Sequence, residues 1–403
     1  MVPEVVVVVT NSISMSVMEP IKRAGRVIPI SCVLAALCLG YSASGLAKIL
    51  PEDRADVLWH SYDGGGVTIN GPSVLVRKAY KDKISAWGNY YVDMISGASV
   101  DVEATASAYS ETREEFSVGM DYLYDKTLLG IGVTSSKEDD YEASTLHLSV
   151  SQDFFGDLST FSMGYSYGDD TVSRNGDNTF EDVASHQAYK FELSQILTKH
   201  MIMNFGYEAV VDEGFLNNPY RSVRFFDTTA GKGYNYQSEI YPRTRTSDAM
   251  AVRTMYYLPY RAALRAEYRY YSDSWGIVAH NGEISYTHPL GDRWEFDAKA
   301  RYYTQTAADF YADIFPFRDA QNFLARDKEL ATFDSATIGF GASYLFNKDG
   351  FLLFDKGSVN LNVDYITFDY QDFSDVTSAS TFGDESLYSF DAIVLRAFVS
   401  LWF

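Results

Sequence analysis

Cysteine is scarce in this sequence, and both of its cysteines, Cys32 and Cys38, lie near the amino terminus. Because no thiol follows them, the rest of the chain cannot form a disulfide, bind a metal through thiolates or use a cysteine nucleophile. Long apolar runs are also missing after Leu39, so no later segment can cross a bilayer as a helix. If this part of the chain spans a membrane, it must do so as a closed β-sheet.

Basic residues are few as well. The sequence has 33 Lys and Arg against 54 Asp and Glu, a net charge of −21. Nucleic acid is therefore not expected as a partner, because phosphate binding needs a basic stripe. A composition that is 46% hydrophobic and 22% charged excludes a disordered chain. The net negative charge favours cations as the species that the protein binds or admits.

The amino-terminal segment has the pattern of an export signal. Basic residues at positions 22–26 precede an apolar segment at 27–39, and small residues lead up to Ala47. We therefore expect residues 1–47 to be a signal peptide. Residues 1–14 do not fit that pattern, and a mis-assigned start is the alternative for them.

Aromatic residues are abundant, with 31 Tyr and 26 Phe. A transmembrane barrel places such side chains in girdles at both membrane surfaces. The last stretch of the chain, residues 389–403, alternates between an apolar face and a face that carries Arg396 and Ser400. It looks like the closing strand of a bacterial outer-membrane barrel, although a half-buried edge strand of a soluble sheet would have the same alternation. The residues predicted to be read by the assembly machinery are Leu395, Val399, Leu401 and Phe403.

Alternating segments recur between short and long connections. We expect short turns at 81–83, 125–126, 153–157, 197–200, 258–260, 288–292 and 347–357. We expect long loops at 96–112, 135–142, 168–184, 212–245, 305–331 and 371–386, and a short connection at 273–275. This asymmetry predicts an all-β fold, a transmembrane antiparallel β-barrel of about 16 strands with short periplasmic turns and long extracellular loops. Fourteen strands is the alternative, because the segments 54–62 and 277–286 alternate weakly. Residues 48–403 would form this single outer-membrane barrel.

Charges of both signs lie on one parity of two predicted strands, 264–271 and 294–303. Such charges can pair across neighbouring strands inside a wet barrel, although the solvated face of a soluble sheet would carry them equally well. The residues predicted to line the lumen are Arg253, Arg265, Glu267, Arg269, Glu295, Asp297, Lys299 and Arg301.

Several short segments resemble a family of Gram-negative proteins catalogued only as a domain of unknown function. The first is Arg54-Ala55-Asp56-Val57-Leu58-Trp59-His60, and the others are residues 62–67, 71–78, 90–93, 141–143 and 153–160. The resemblance implies an outer-membrane barrel, often encoded near a small lipoprotein and a periplasmic flavin-transferring protein. It implies no catalytic residues.

No motif predicts a catalytic, metal or cofactor site. The glycine run 64–66 lacks the Lys and Ser or Thr of a phosphate loop, and the six histidines lack metal-ligand spacing. His147 and Ser149 share a face, but they are far from a catalytic triad. Acidic clusters such as 138–142 fit a solvated loop surface, with divalent cations bridging the loops as the alternative.

We therefore expect an outer-membrane channel for small polar or cationic solutes and not an enzyme. Its expected partners are outer-membrane lipids, the assembly machinery and a small periplasmic lipoprotein. The alternative is a plugged barrel that scaffolds a redox or flavin-associated complex of the envelope with that lipoprotein.

Overall fold

The computed structural model describes residues 50–97, 109–346, 354–379 and 381–403. The expected signal peptide, residues 1–47, lies outside the described residues. The described chain is almost entirely β-structure, with one short 3-10 helix at Lys328–Leu330. Its strands are β1 (Arg54–Gly64), β2 (Val67–Tyr80), β3 (Ile84–Gly97), β4 (Tyr109–Tyr124), β5 (Thr127–Lys137), β6 (Tyr141–Phe154), β7 (Ser159–Ser173), β8 (Glu181–Thr198), β9 (Met201–Gly214), β10 (Ser222–Phe226), β11 (Tyr234–Ser238), β12 (Thr244–Tyr257), β13 (Ala263–Asp273), β14 (Val278–Leu290), β15 (Trp294–Gln305), β16 (Phe333–Phe346), β17 (Lys356–Ser374) and β18 (Leu387–Trp402).

All strands except β10 and β11 form one closed antiparallel barrel, in which each strand pairs with its neighbours along the chain. The sheet closes where β1 pairs with β18, from Arg54 opposite Trp402 to Gly64 opposite Ala392. The expectation of a 16-stranded antiparallel barrel is confirmed. The alternative of fourteen strands is wrong, because backbone pairing extends through β1 and β14 despite their weak alternation.

The two faces of the sheet differ in chemistry. On the outer face, large apolar side chains are exposed around the barrel, for example Phe116 on β4, Phe340 on β16 and Leu361 on β17. The inner face carries many small, polar and charged residues, and near the loop end it also carries a buried apolar cluster that includes Tyr62, Val67, Ile95 and Val394. A closed sheet leaves no unpaired strand edge, so its apolar outside can face hydrocarbon. Among the described residues, no helix is long and apolar enough to cross a membrane.

The connections at the two ends of the barrel differ in length. The end that holds Arg54 and Phe403, here called the turn end, has short turns such as residues 81–83 and 125–126. The opposite end, here called the loop end, has long connections at 215–243, 306–332 and 375–386. It also has the tight turn between β1 and β2, where Gly65 and Gly66 both have positive φ.

Four loop predictions differ from the structure. The loop expected at 135–142 is only residues 138–140, because β5 and β6 continue through Lys137 and Tyr141. The loops expected at 168–184 and 371–386 are also shorter, since strand pairing extends into their polar ends. The loop expected at 212–245 contains the hairpin of β10 and β11, which the sequence analysis did not predict. The predicted connections 96–112 and 347–357 fall partly outside the described residues.

Candidate pore and its cap

The eight residues predicted to line the lumen share the inward-facing parity of β12, β13 and β15. Their neighbours of opposite parity, including Val252, Tyr268 and Phe296, are exposed apolar residues of the outer face. The register places Arg253 opposite Glu267, and the guanidinium Nε of Arg253 lies 2.7 Å from that carboxylate. The structure thus brings two of the eight into a direct ion pair.

Several of these side chains reach across an intervening strand. Arg269 on β13 lies 2.9 Å from Glu208 on β9, with β12 between them. Lys299 on β15 lies 3.0 Å from Asp364 on β17, across β16. Small residues of the middle strand make this possible: Gly339 is paired with both Lys299 and Asp364, and a Cβ built there would lie 2.1 Å from the Asp364 carboxylate.

The other four predicted residues form hydrogen bonds to uncharged partners or are exposed at the turn end. Arg301 donates a hydrogen bond to Asn281, and Thr287 donates one to Asp297 at 2.5 Å. Arg265 and Glu295 lie toward the turn end and are exposed. These side chains offer charge of both signs to anything inside the barrel.

The structure also shows inward-facing pairs that the sequence analysis missed. His60 on β1 is 2% exposed, and its Nε2 lies 2.7 Å from Asp93 on β3. Gly71 on β2 is paired with His60, and its lack of a side chain leaves the path to Asp93 open. Arg77 on β2 likewise binds Asp121 on β4. Only the barrel register could have revealed these pairs, because their sequence separations are large.

A chain of hydroxyl groups and one histidine crosses the wall from β4 to β7. Ser117 and Thr134 are 2.9 Å apart, Thr134 lies 3.1 Å from His147 Nε2, and His147 Nδ1 lies 2.8 Å from Ser166. The nearest hydroxyl partners of His147 are thus on β5 and β7, and Ser149 is not one of them. Beside the ion pairs of β4, this chain therefore adds uncharged polar groups to the wall.

Long loops fold together over the loop end. We call residues 215–243, 306–332 and 375–386 the cap, of which residue 380 is not described. Tyr220 of the first segment binds Asp140, between β5 and β6, whereas Arg224 of the same segment binds Glu385, between β17 and β18, at 2.9 Å. Since these anchors lie on widely separated parts of the rim, the first segment crosses the mouth of the barrel.

The cap has an apolar interior and a charged centre. Tyr241 and Phe310 of the cap each pack edge to face against Trp275, which lies between β13 and β14, and the three ring centroids are 5.2–5.5 Å apart. Arg224 is 1% exposed and its guanidinium lies 2.7 Å from Asp313 as well as close to Glu385. One guanidinium therefore joins all three segments of the cap.

A second buried charged group links two segments. Glu239 is 4% exposed, accepts a hydrogen bond from the backbone N–H of Arg326 at 2.7 Å and another from the Tyr241 hydroxyl at 2.8 Å. Burial, followed by the neighbouring Asp327 carboxylate, raises the pKa of Glu239 to about 7, while Arg221 acts in the opposite direction. The cap therefore contains a carboxyl group that titrates near neutral pH.

Three carboxylates meet beside the cap. Glu111, Glu138 and Asp140 offer oxygen atoms that all lie within 4.8 Å of one another. Carboxylate oxygens are the ligands that calcium and magnesium prefer. The predicted acidic cluster at 138–142 is thus joined by a residue of β4 that the sequence analysis did not connect with it.

The predicted assembly residues lie at the end of the chain. Leu395, Val399 and Leu401 are on the outward-facing parity of β18, opposite Val363, Val359 and Gly357 of β17. Phe403 follows the strand, and the ammonium group of Lys78 lies 4.8 Å from its ring centroid. This face of β18 would contact hydrocarbon.

The comparison with known protein families gives a family without a specific role. A family model described as "Protein of unknown function (DUF3570)" matches residues 100–192 and 179–371. No curated protein matches the sequence.

Several solved structures are similar to this chain at low sequence identity. A bacterial polysaccharide outer membrane secretin is 8% identical, with a TM-score of 0.46, over 88% of this chain and 100% of that chain. The CymD monoaromatic hydrocarbon channel is 8% identical, with a TM-score of 0.42, over 88% and 89%. The siderophore receptor PirA from Pseudomonas aeruginosa is 8% identical, with a TM-score of 0.39, over 87% and 81%.

Proposed function

The chain belongs to the family described as Protein of unknown function (DUF3570), and from its closed barrel we propose that it is an outer-membrane pore for small polar or cationic solutes. In this proposal the turn end faces the periplasm and the cap regulates entry at the outer surface. The observation that carries it is the contrast between a charged, hydroxyl-rich interior and an exposed apolar exterior on the same strands.

A barrel of this size supports a water-filled path. Barrels of 16 to 18 strands are wide enough to leave an aqueous channel unless loops fill it. The interior ion pairs described above join strands that are neighbours or next neighbours in the barrel, so they line the wall. The cap lies at the loop end, where it can control access to the lumen.

The interior charges favour cations. Among the described residues, carboxylates outnumber basic groups on the inward-facing parity of the barrel strands. Many of these carboxylates are paired with arginine or lysine, which moderates the preference. A wall with charge of both signs is also suited to polar solutes that carry a dipole.

Ion selectivity in planar bilayers tests the proposal. The double substitution Arg265→Glu and Arg269→Glu adds negative charge to one wall of the lumen. It should shift the reversal potential under a salt gradient further toward cation selectivity. The control is Arg318→Glu in the cap, where the native side chain is 71% exposed and outside the lumen; it should leave the reversal potential nearly unchanged.

A barrel that inserts but never conducts would contradict the pore. The second candidate, a plugged barrel that scaffolds an envelope complex with a small lipoprotein, is favoured by one observation: the cap segment 215–243 crosses the mouth. A scaffold should co-purify with a periplasmic partner and show little conductance alone. The pore should conduct as a purified protein.

A further inference from the structure

A groove of about 390 Å³ runs along the outer face of β14 to β17. Its floor consists of Ala298 and Ala342, and larger side chains stand on either side, including Phe296 and Phe340. The register explains its shape: Ala298 lies between Tyr286 and Phe340, and Ala342 lies between Phe296 and Leu361. Small residues beside large ones thus leave a depression in the membrane-facing surface.

The groove lies at a defined depth. The next outward-facing pair toward the turn end, beyond Phe296 and Ala342, is Trp294 opposite Tyr344. Their ring centroids are 4.7 Å apart. Trp and Tyr in such a position mark the boundary between hydrocarbon and headgroups. Since successive outward residues are about 7 Å apart along a strand, the groove begins just inside the hydrocarbon layer.

Polar and basic groups lie where a headgroup would be. Arg293, in the turn before Trp294, is exposed and donates a hydrogen bond to the Tyr344 hydroxyl at 3.3 Å. Arg261, in the neighbouring turn, is 63% exposed and lies 3.8 Å from Asp292. His288 lines the groove, and its Nδ1 lies 2.9 Å from the Tyr286 hydroxyl.

We propose that this groove is a binding site for one phospholipid, with an acyl chain along Ala298 and Ala342 and the headgroup phosphate at Arg261 and Arg293. An apolar groove within the hydrocarbon layer excludes water and is filled by an alkyl chain. Guanidinium groups bind phosphate through paired hydrogen bonds. The Asp292 carboxylate can form an ion pair with the ammonium group of an ethanolamine headgroup. The site requires a membrane barrel and does not depend on conduction by the lumen.

Lipid retention tests the site. The refolded full-length barrel is reconstituted with dioleoyl phosphatidylethanolamine, extracted into detergent and examined by native mass spectrometry. The wild type should retain one phospholipid. The variant Ala298→Phe with Ala342→Phe should lose it, whereas the control Ala86→Phe, at an exposed outward alanine of β3, should retain it.

The headgroup contacts need a separate pair of variants. Arg261→Gln with Arg293→Gln should lower retention, and Lys83→Gln with Lys199→Gln, at exposed lysines of other turns, should not. Equal retention by the wild type and the filled-groove variant would overturn the proposal, as would no retained lipid at all. A dimer that filling the groove abolishes would assign this surface to a second copy and would also overturn it.

Discussion

Arg224 joins the three segments of the cap through one buried guanidinium, which binds Asp313 and Glu385. Its guanidinium also lies 5.3 Å from the ring centroid of Tyr234. Removing one partner of a buried ion pair leaves the other charge without compensation, which typically costs about 3–5 kcal/mol. The stability of the cap should therefore depend on this residue more than on any exposed arginine.

The substitution Arg224→Ala should release the cap while leaving the barrel folded. Limited proteolysis should cut residues 215–243 at much lower protease concentration than in the wild type. Arg318→Ala, which removes an arginine that is 71% exposed and 3.7 Å from Asp319, is the control. If the two variants are equally resistant, the guanidinium does not hold the cap together.

In the barrel wall, Gly339 leaves the space through which Lys299 and Asp364 form their ion pair. An added Cβ would lie 2.1 Å from the Asp364 carboxylate and 2.6 Å from Lys299 Cε, so Gly339→Ala should separate that pair and cost about 1–3 kcal/mol. The midpoint of guanidinium unfolding in detergent measures the loss. Gly282→Ala, at a strand glycine with no atom within 4 Å of an added Cβ, should not lower the midpoint, and a similar loss there would contradict the explanation.

The sequence determines the barrel wall more completely than the contacts within it. Alternation with a period of two places Arg253 and Glu267 on the inner face without any knowledge of the fold. His60 and Asp93 share that parity, but their contact depends on the register of β1, β2 and β3 and on the missing side chain at Gly71. Such a register cannot be derived from a single sequence, because each strand alternates equally well when it is shifted by two residues.

At the scale of elements, the cap contains a buried carboxyl group whose raised pKa should make the cap sensitive to pH. Glu239 links β11 to the segment 306–332, and Arg221, Arg326, Asp327 and Tyr241 face it. Its pKa is raised from an ordinary value of 4.5 to about 7. A raised pKa means that the cap favours the protonated form, so the contribution of this carboxyl group is complete below about pH 4.5 and is lost as the pH rises through 7.

The cap should therefore loosen between about pH 5 and pH 8. Hydrogen exchange of the backbone amides in β10 and β11 should accelerate several-fold over this range, beyond the intrinsic effect of pH measured on the unfolded peptide. The variant Glu239→Gln keeps a neutral side chain of the same shape and should remove the excess. An equal excess in the variant would assign the pH response to another group.

The cap was not predictable from the sequence to the same degree as the strands. A long loop was expected at 212–245, but nothing in its sequence indicated that Arg224 would be buried. The partners of Arg224, Asp313 and Glu385, belong to two other loops and meet it only because the closed barrel brings the loops together. Hydrophobic alternation carries no information about such contacts between loops.

At the scale of the whole molecule, the barrel places its apolar side chains on the outside and its charged side chains on the inside. The apolar side chains of the outer face are suited to contact with lipid, and the charged side chains of the inner face form ion pairs or bind water. The cap adds a third part, since it covers the mouth at the end where the long loops meet. On this account, conduction is a property of the barrel and its control is a property of the cap.

Single-channel recording in planar bilayers tests this account most directly. The comparison is between the refolded wild-type barrel and a variant in which residues 222–238, the β10–β11 hairpin, are replaced by a short glycine-serine linker. A shift in gel mobility on boiling verifies that both barrels are folded. The account predicts conduction by both proteins, with a larger or longer-lived open state in the variant without the hairpin. Folded barrels that conduct in neither form would contradict it.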